Sequence, residues 1–135
     1  MRILIVDDNR GFLDVMGDLL RAYGYEVVLA EDGKQARETL ETEQVDLIVS
    51  DVFMPTLDGN RFHSYVREFL GATEIPFIFY SGYSSEETQQ IVNDSKIDFF
   101  LSKSSPVEEI VGLIERIRTS KEPKEEVKVG PPSGR

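Results

Sequence analysis

Several short apolar segments of this chain each end at side chains that can bind ions or phosphate. Residues 3–6, 45–49 and 75–80 are such segments, and a fourth lies around 99–101. The side chains that follow these segments are Asp7, Asp8, Ser50, Asp51, Ser81 and Lys103. If the segments are parallel strands, their carboxyl ends share one edge of a sheet. Carboxylates, hydroxyls and an ammonium group then meet there, which predicts a site for a divalent cation and a phosphoryl group.

Helical periodicity alternates with these strands along most of the chain. The predicted strands are residues 2–6, 26–30, 45–50, 75–80 and 97–101, and helices ending near residues 23, 43, 70, 93 and 118 lie between and after them. Repeated β–α units predict an α/β fold, with a doubly wound parallel sheet and right-handed crossovers.

The residues before the predicted helices are typical N-caps. Asp32 with Gln35 and Ser84 with Glu87 match the capping box, and Asp58 can cap the helix between them. The helix after Ser84 has little apolar surface, so we expect it to be weakly held and mobile.

The order of the strand-end residues is similar to that in a known family. The matching positions are Asp7, Asp8, Asp51, Ser81 and Lys103. Together with the segment D-V-F-M-P-T-L-D-G at 51–59, they resemble the receiver domain of two-component response regulators, whose block reads D-x-x-M-P-x-x-D-G. The resemblance covers residues 1–118. It implies a flavodoxin-like five-stranded sheet in the order 2-1-3-4-5 with five helices.

Asp51 is the predicted phosphoacceptor. A carboxylate can attack a phosphoryl group and hold it as an acyl phosphate, and the resemblance gives this role to Asp51, with a sensor histidine kinase or phosphotransfer protein as donor. A single aspartate at a strand end more often forms a turn or a cap. The adjoining Met-Pro-x-x-Asp-Gly block favours the phosphoacceptor here.

Adjacent carboxylates at the end of the first strand predict a magnesium site. Crowded like charges cost free energy unless a cation offsets them, and Mg²⁺ prefers oxygen ligands. We expect Asp8 and Asp51 to bind Mg²⁺ directly and Asp7 through water, with the backbone carbonyl of Phe53 as a further ligand. Asp7, Asp8 or Asn9 can also cap the first helix.

Lys103, Ser81 and Phe100 are assigned to the phosphoryl group and the switch. The Lys103 ammonium suits pairing with Asp51 and then with a phosphoryl oxygen. By resemblance, the Ser81 hydroxyl moves toward the phosphoryl group while Phe100 turns inward, although a phenylalanine in a strand is more often part of the core. Ser104 stands where relatives have a proline after a cis bond. Because a cis bond without proline costs roughly 3–4 kcal/mol, we predict a trans Lys103–Ser104 bond.

Two aromatic residues stand where relatives often have polar ones. Phe53 lies two residues after Asp51, and Tyr83 lies two residues after Ser81. Hydrolysis of an acyl phosphate needs an aligned water, so two rings beside its path can exclude it. The hypothesis is a long-lived phosphoryl state; the alternative is that the rings simply pack on each other.

Composition excludes several other classes of function. A net charge of −10 argues against direct nucleic-acid binding. The absence of cysteine removes disulfides and thiolate chemistry. Without an apolar leader or a membrane span, the expected location is the cytoplasm. His63, the single histidine, is interpreted as a surface residue rather than a relay residue.

The leading interpretation is a stand-alone receiver, a phosphoacceptor rather than an enzyme, which acts through protein contacts. By resemblance, the fourth helix, fifth strand and fifth helix form that surface and can support a homodimer or bind an effector. The alternatives are a phosphorylation-independent module of the same fold and a haloacid-dehalogenase-type phosphatase, which needs an aspartate where Phe53 stands. Residues 119–135 are expected to be a disordered tail or a linker to an output domain.

Overall fold

Five parallel strands form one sheet in the computed structural model, which describes residues 1–121. The strands are β1 (Arg2–Val6), β2 (Glu26–Ala30), β3 (Leu47–Ser50), β4 (Phe77–Ser81) and β5 (Asp98–Ser102). Their order is β2-β1-β3-β4-β5 and every pairing is parallel. The predicted topology is therefore confirmed.

Helices follow the strands in strict alternation over the described residues. They are α1 (Arg10–Ala22), α2 (Gly33–Leu40), α3 (Gly59–Ser64), α4 (Glu86–Asn93) and α5 (Val107–Lys121). A π-helical turn, Tyr65–Phe69, continues α3, and the Leu70 N–H donates to the Tyr65 carbonyl at 3.0 Å. The wider turn carries the third helical segment nearly to its predicted end.

The chain divides into two compact units, residues 1–105 and a second unit that begins at Pro106. Within the second unit, α5 has buried positions three and four residues apart at Ile110, Ile114 and Ile117. This helix runs through Lys121, so residues 119–121 are helical rather than part of the predicted tail. The remainder of that tail, 122–135, lies outside the described residues.

The first unit covers both faces of its sheet, which explains the continuous apolar runs. On one face, Val6, Ile48 and Phe79 share a core with Phe62 and Val66 from the third helical segment. On the opposite face α1 lies against β2, where a Cβ on Gly17 would be 3.4 Å from Leu29. The central strands β3 and β4 are buried at every position. Polar side chains therefore appear only where these strands end.

The cap of α4 is a correction to the prediction. Ser85, rather than Ser84, has the extended backbone of an N-cap, and its Oγ accepts from the Thr88 N–H. Ser84 is exposed and instead accepts a hydrogen bond from the Gln89 side chain. The predicted caps Asp32 and Asp58 are confirmed, and Asn9 caps α1.

His63 is also a correction, because it is buried and not on the surface. Its Nε2 lies 2.9 Å from Asp98 Oδ1, and its ring packs against Phe77 and Phe79. Arg67 Nη2 donates to the same Asp98 oxygen at 2.6 Å. The imidazole and the guanidinium thus share one carboxylate between the third helical segment and β5.

Among residues 1–121, no helix combines the length and the apolar character that crossing a membrane requires.

Candidate functional site

Three carboxylates converge at the carboxyl edge of the sheet. The β1–β3 register pairs Val6 with Ser50, which brings the next residues, Asp7 and Asp51, side by side. Their backbones stay in the ladder, since the Asp51 N–H donates to the Val6 carbonyl at 2.9 Å. Asp7, Asp8 and Asp51 each offer an oxygen, and the three oxygens lie within 4.8 Å of one another. Asp7 is 1% exposed, whereas Asp8 faces solvent.

Lys103 supplies a positive charge to this cluster. Its Nζ lies 2.5 Å from Asp7 Oδ2 and 3.3 Å from Asp51 Oδ2. Residues 1–121 contain no cis peptide bond, so the Lys103–Ser104 bond is trans, as predicted. The Lys103 N–H donates to the Ser81 carbonyl at 2.9 Å, which fixes the start of the loop. Lys103 therefore reaches both aspartates without the proline of relatives.

Phe12 is a site residue that the sequence did not reveal. Lys103 Nζ lies 4.3 Å from the centre of the Phe12 ring, a cation–π geometry. The Phe12 ring also packs against Tyr80, with 5.6 Å between ring centres. In the sequence, Phe12 is simply an apolar residue of the first helix. Nothing local in the sequence indicates its contact with a lysine near the other end of the chain.

The charges at this edge do not balance. Burial raises the pKa of Asp7 by more than the hydrogen bond from Lys103 lowers it. Burial alone would lower the pKa of Lys103, but its contacts with Asp7 and Asp51 outweigh burial and raise it. One ammonium thus faces three carboxylates. A hard divalent cation fits this oxygen-rich set, and Asp7, Asp8 and Asp51 are the side chains that would hold it.

The two carboxylate oxygens of Asp51 have different partners, a backbone N–H and the Lys103 ammonium. Its Oδ1 accepts from the Val52 N–H at 2.7 Å, which orients the carboxylate. Its side chain is 12% exposed, so the group is largely enclosed yet open to solvent. Ser50 Oγ, the other polar group after β3, donates to the Asp51 carbonyl at 2.8 Å and so has a structural contact.

The loop after Asp51 is held close to the phosphoacceptor candidate. The Gly59 N–H donates to the Val52 carbonyl at 2.7 Å, and a Cβ on Gly59 would collide with the Asp51 carbonyl oxygen. Thr56, within the loop, has a positive φ of 71°, a conformation that costs free energy for a β-branched residue. Phe53, whose carbonyl is the predicted metal ligand, lies in this loop with its ring 53% exposed.

Ser81 and Phe100 lie on neighbouring strands in different surroundings. Ser81 ends β4, is 2% exposed, and its Oγ accepts weakly from the Tyr83 N–H at 3.4 Å. Phe100 pairs in register with Phe79 and packs against the apolar cluster, half-buried. The two predicted switch residues thus stand on neighbouring strands, and their coupling stays a prediction.

Phe53 and Tyr83 contact each other beside the site. Their ring centres are 6.5 Å apart at an interplanar angle of 70°, an edge-on arrangement. The Tyr83 ring is even more exposed than that of Phe53. The two rings therefore do pack on each other, as the simpler alternative expected.

The chain is similar in sequence to known proteins. The family model of the response regulator receiver domain matches residues 3–115. The chain is 34% identical over 116 residues to an uncharacterized 14.6 kDa protein of Leptolyngbya boryana, covering 86% of this chain and 88% of that one. It is 34% identical over 110 residues to the CAI-1 autoinducer sensor kinase/phosphatase CqsS of Vibrio cholerae, covering 76% of this chain but 15% of the kinase.

Solved structures show the same architecture. The chemotaxis protein CheY4 of Vibrio cholerae superposes with a TM-score of 0.77 at 28% identity, covering 86% of this chain and 97% of that one. The receiver domain of Francisella response regulator 1452 gives a TM-score of 0.78 at 25% identity, covering 90% and 98%. With the family model matching most of its length, this chain belongs to the response regulator receiver domain family.

Proposed function

We propose that this protein accepts a phosphoryl group on Asp51 from the phosphohistidine of a sensor kinase or phosphotransfer protein. The observation that carries the proposal is the pairing of Asp51 Oδ2 with Lys103 Nζ at 3.3 Å, beside two further carboxylates. An Asp51 oxygen attacks phosphorus, the phosphorus–nitrogen bond breaks, and the imidazole leaves with that electron pair and takes up a proton. The product is an acyl phosphate and a neutral histidine.

The neighbouring residues would stabilise this transfer by position and charge. The Val52 N–H orients the Asp51 carboxylate, and the Lys103 ammonium pairs with a transferred oxygen. Asp7, Asp8, Asp51 and the Phe53 carbonyl would hold Mg²⁺, which neutralises charge on the phosphoryl oxygens when bound. Phe12 would help to position Lys103 through the contact of its ring with the ammonium group.

The phosphoryl group would be lost when water attacks phosphorus and the bond to the Asp51 oxygen breaks, which leaves the carboxylate and inorganic phosphate. Phe53 and Tyr83 form an edge-on pair, and each follows a site residue, Asp51 or Ser81, by two positions, so the pair would limit the approach of that water. A Phe53→Asn variant should then lose its phosphate faster than the parent, as followed by intact mass after removal of the donor. An unchanged or slower loss would refute this role.

Output would occur through protein contact. Phosphorylation adds charge and acceptor oxygens next to Ser81, which would move toward them while Phe100 turns inward. Within the first unit, the surface that changes would include α4 and β5, and it would bind an effector or a second copy. The match to part of the sensor kinase/phosphatase CqsS supports a donor of the histidine-kinase class, and the proposed location is the cytoplasm.

The alternative of a phosphorylation-independent module rested on Ser104. The contacts of Lys103 with Asp7 and Asp51 weaken it, because the lysine reaches both carboxylates with serine in that position.

Intact-mass measurement tests the proposal. The protein is incubated with Mg²⁺ and a small acyl-phosphate donor, alongside Asp51→Asn and the matched control Asp14→Asn, an exposed carboxylate on α1. One phosphoryl adduct is expected in wild type and in Asp14→Asn, and none in Asp51→Asn. No adduct in wild type with Mg²⁺ present would overturn the proposal.

A further inference from the structure

A closed ring of hydrogen bonds joins the start of α3 to the start of α4. The Thr88 hydroxyl donates to Asn60 Oδ1 at 2.9 Å, and Asn60 Nδ2 donates to Ser85 Oγ at 3.3 Å. The two hydroxyl oxygens of Ser85 and Thr88 lie 2.9 Å apart. Because the amide oxygen only accepts, the Thr88 proton is committed there, so the Ser85 hydroxyl donates to Thr88. Each of the three side chains therefore both donates and accepts within the ring.

Two members of this ring are buried, and the third, Ser85, is half-buried. Thr88 is fully buried and Asn60 is 7% exposed. The apolar contacts of α4 come only from the half-buried Ile91 and Val92. A buried polar group is costly once it loses a partner, and closed hydrogen-bond networks strengthen their members mutually. The ring therefore holds α4 by directional bonds that break together, in place of a wide apolar face.

Through Asn60, the ring is also connected to the loop between Asp51 and α3. Asn60 directly follows Gly59. The Gly59 N–H donates to the Val52 carbonyl, and a side chain at Gly59 would collide with the Asp51 carbonyl oxygen. Any shift of the backbone after Asp51 must therefore displace the start of α3 and the Asn60 amide with it. Ser85 lies at the end of the loop that begins at Ser81. The ring thus spans the two loops that flank the acidic cluster.

We propose that Asn60 is a positioning residue that couples the state of Asp51 to α4 through Ser85 and Thr88. This inference rests on the proposed function, since it assigns the path by which phosphorylation of Asp51 reaches a surface helix. A phosphoryl group adds charge and oxygens beside the loop. The loop moves, Asn60 moves with it, and the ring carries the start of α4 along. This path reaches α4 from α3, whereas the one through Ser81 and Phe100 runs along β4 and β5.

Hydrogen exchange of α4 with and without phosphorylation tests the coupling. The variant Thr88→Val removes the hydroxyl at almost constant volume, and Thr88→Ser retains it. Gln89→Ala is the matched control, because it removes an exposed hydrogen bond at the same helix start, where Nε2 donates to Ser84 Oγ at 2.6 Å. Each protein is treated with Mg²⁺ and a small acyl-phosphate donor. Intact mass gives the phosphorylated fraction, and the peptide covering residues 86–93 gives the exchange rate.

The expected result is a specific loss of response. Wild type, Thr88→Ser and Gln89→Ala should each show a changed exchange rate in α4 on phosphorylation. In Thr88→Val the ratio of phosphorylated to unphosphorylated rates should fall close to unity, while Asp51 is still phosphorylated. A second variant, Asn60→Leu, breaks the ring from α3 and should give the same loss, which guards against a folding defect peculiar to Thr88→Val.

Each other outcome contradicts a different statement. If Thr88→Val and Asn60→Leu keep the wild-type ratio, the ring does not couple the two helices and the inference is wrong. If wild type is phosphorylated but α4 exchange does not change, the inference is wrong while the proposed function stands. If wild type takes up no phosphoryl group, the proposed function fails and the inference fails with it.

Discussion

Asp7 and Asp98 are both buried carboxylates, but they lie at opposite ends of the strands and have different partners. Asp98 begins β5 and is contacted by His63 and the Arg67 guanidinium. Asp7 follows β1 and shares a single ammonium, that of Lys103, with Asp51. The two are similarly buried, at 5% and 1% exposure. Burial therefore does not distinguish them. What distinguishes them is the cation, because Arg67 pairs with Asp98, whereas Lys103 is shared between Asp7 and Asp51.

The pKa values of the two groups respond accordingly. Burial raises the pKa of Asp7, and the hydrogen bond from Lys103 compensates only in part. Burial would also raise the pKa of Asp98, but hydrogen bonds from His63, Arg67 and Ser95 outweigh it, so the pKa is lowered. A satisfied cluster stabilises the fold, whereas an undercompensated one is where a further cation is expected to bind. The contrast separates a structural cluster from a functional one.

The largest expected effect is the removal of Asp98. Asp98→Ala leaves Arg67 and His63 buried without their carboxylate, which should lower the free energy of unfolding by about 3–5 kcal/mol. Urea unfolding measures this loss. Asp14→Ala, which removes an exposed partner of Arg10, should cost less than about 1 kcal/mol. Equal losses in the two variants would refute the structural role of the buried cluster.

Mg²⁺ should stabilise the protein through the other cluster. A ligand that binds only the folded state at a hundredfold excess over Kd adds about 2.7 kcal/mol to the free energy of unfolding. The gain, measured as the difference between urea curves with Mg²⁺ and with a chelator, should be lost in Asp8→Asn. It should persist in Asp94→Asn, a control at the exposed end of α4. A gain that persists in Asp8→Asn would place the ion elsewhere.

Without metal, removal of a charge from the acidic cluster should stabilise the fold. Asp51→Asn relieves repulsion from Asp7 and Asp8, and two unit charges 4 Å apart in water interact by about 1 kcal/mol. The free energy of unfolding in a chelator should rise by about that amount. A decrease would show that the Asp51–Lys103 contact outweighs the repulsion.

The smallest effect is the opposite pH dependence of the two carboxylates. Asp98 has a lowered folded pKa, so its stabilisation is present above pH 3.8 and is lost as pH falls below that value. Asp7 has a raised folded pKa, so the folded state binds its proton more tightly than the unfolded state does. The free energy that the buried Asp7 charge costs the fold is therefore relieved as pH falls through that pKa toward 3.8. Relative to wild type, Asp98→Asn should flatten the acid-induced loss of stability, and Asp7→Asn should steepen it. Unfolding at several pH values without metal measures both slopes.

The sequence predicted the acidic edge well because its signal is local. Strands buried on both faces exclude polar residues, so Asp7, Asp51 and Ser81 mark where each strand ends. Parallel pairing then brings those ends together whatever the details of the loops. Lys103 likewise follows the end of β5, and its ammonium contacts Asp51 although Ser104 replaces the usual proline.

The structural cluster and the ring could not be predicted because their partners are distant in the sequence. His63 and Asp98 are 35 residues apart, and neither segment signals the other. The misplaced cap of α4 has another cause, since Ser84 and Ser85 are adjacent and chemically identical. The choice between them depends on the bonds that Asn60 and Thr88 make with Ser85, and these exist only in the folded chain.

The loop between Asp51 and α3 also sets what changes evolution can accept there. At Gly59, the Cβ of any other residue would collide with the Asp51 carbonyl oxygen, so substitutions at this position should not be tolerated. At Thr56, the positive φ penalises the present residue, and glycine or asparagine would fit with less strain. Descendants of this sequence can therefore be expected to vary at one position of the loop and to stay invariant three residues later.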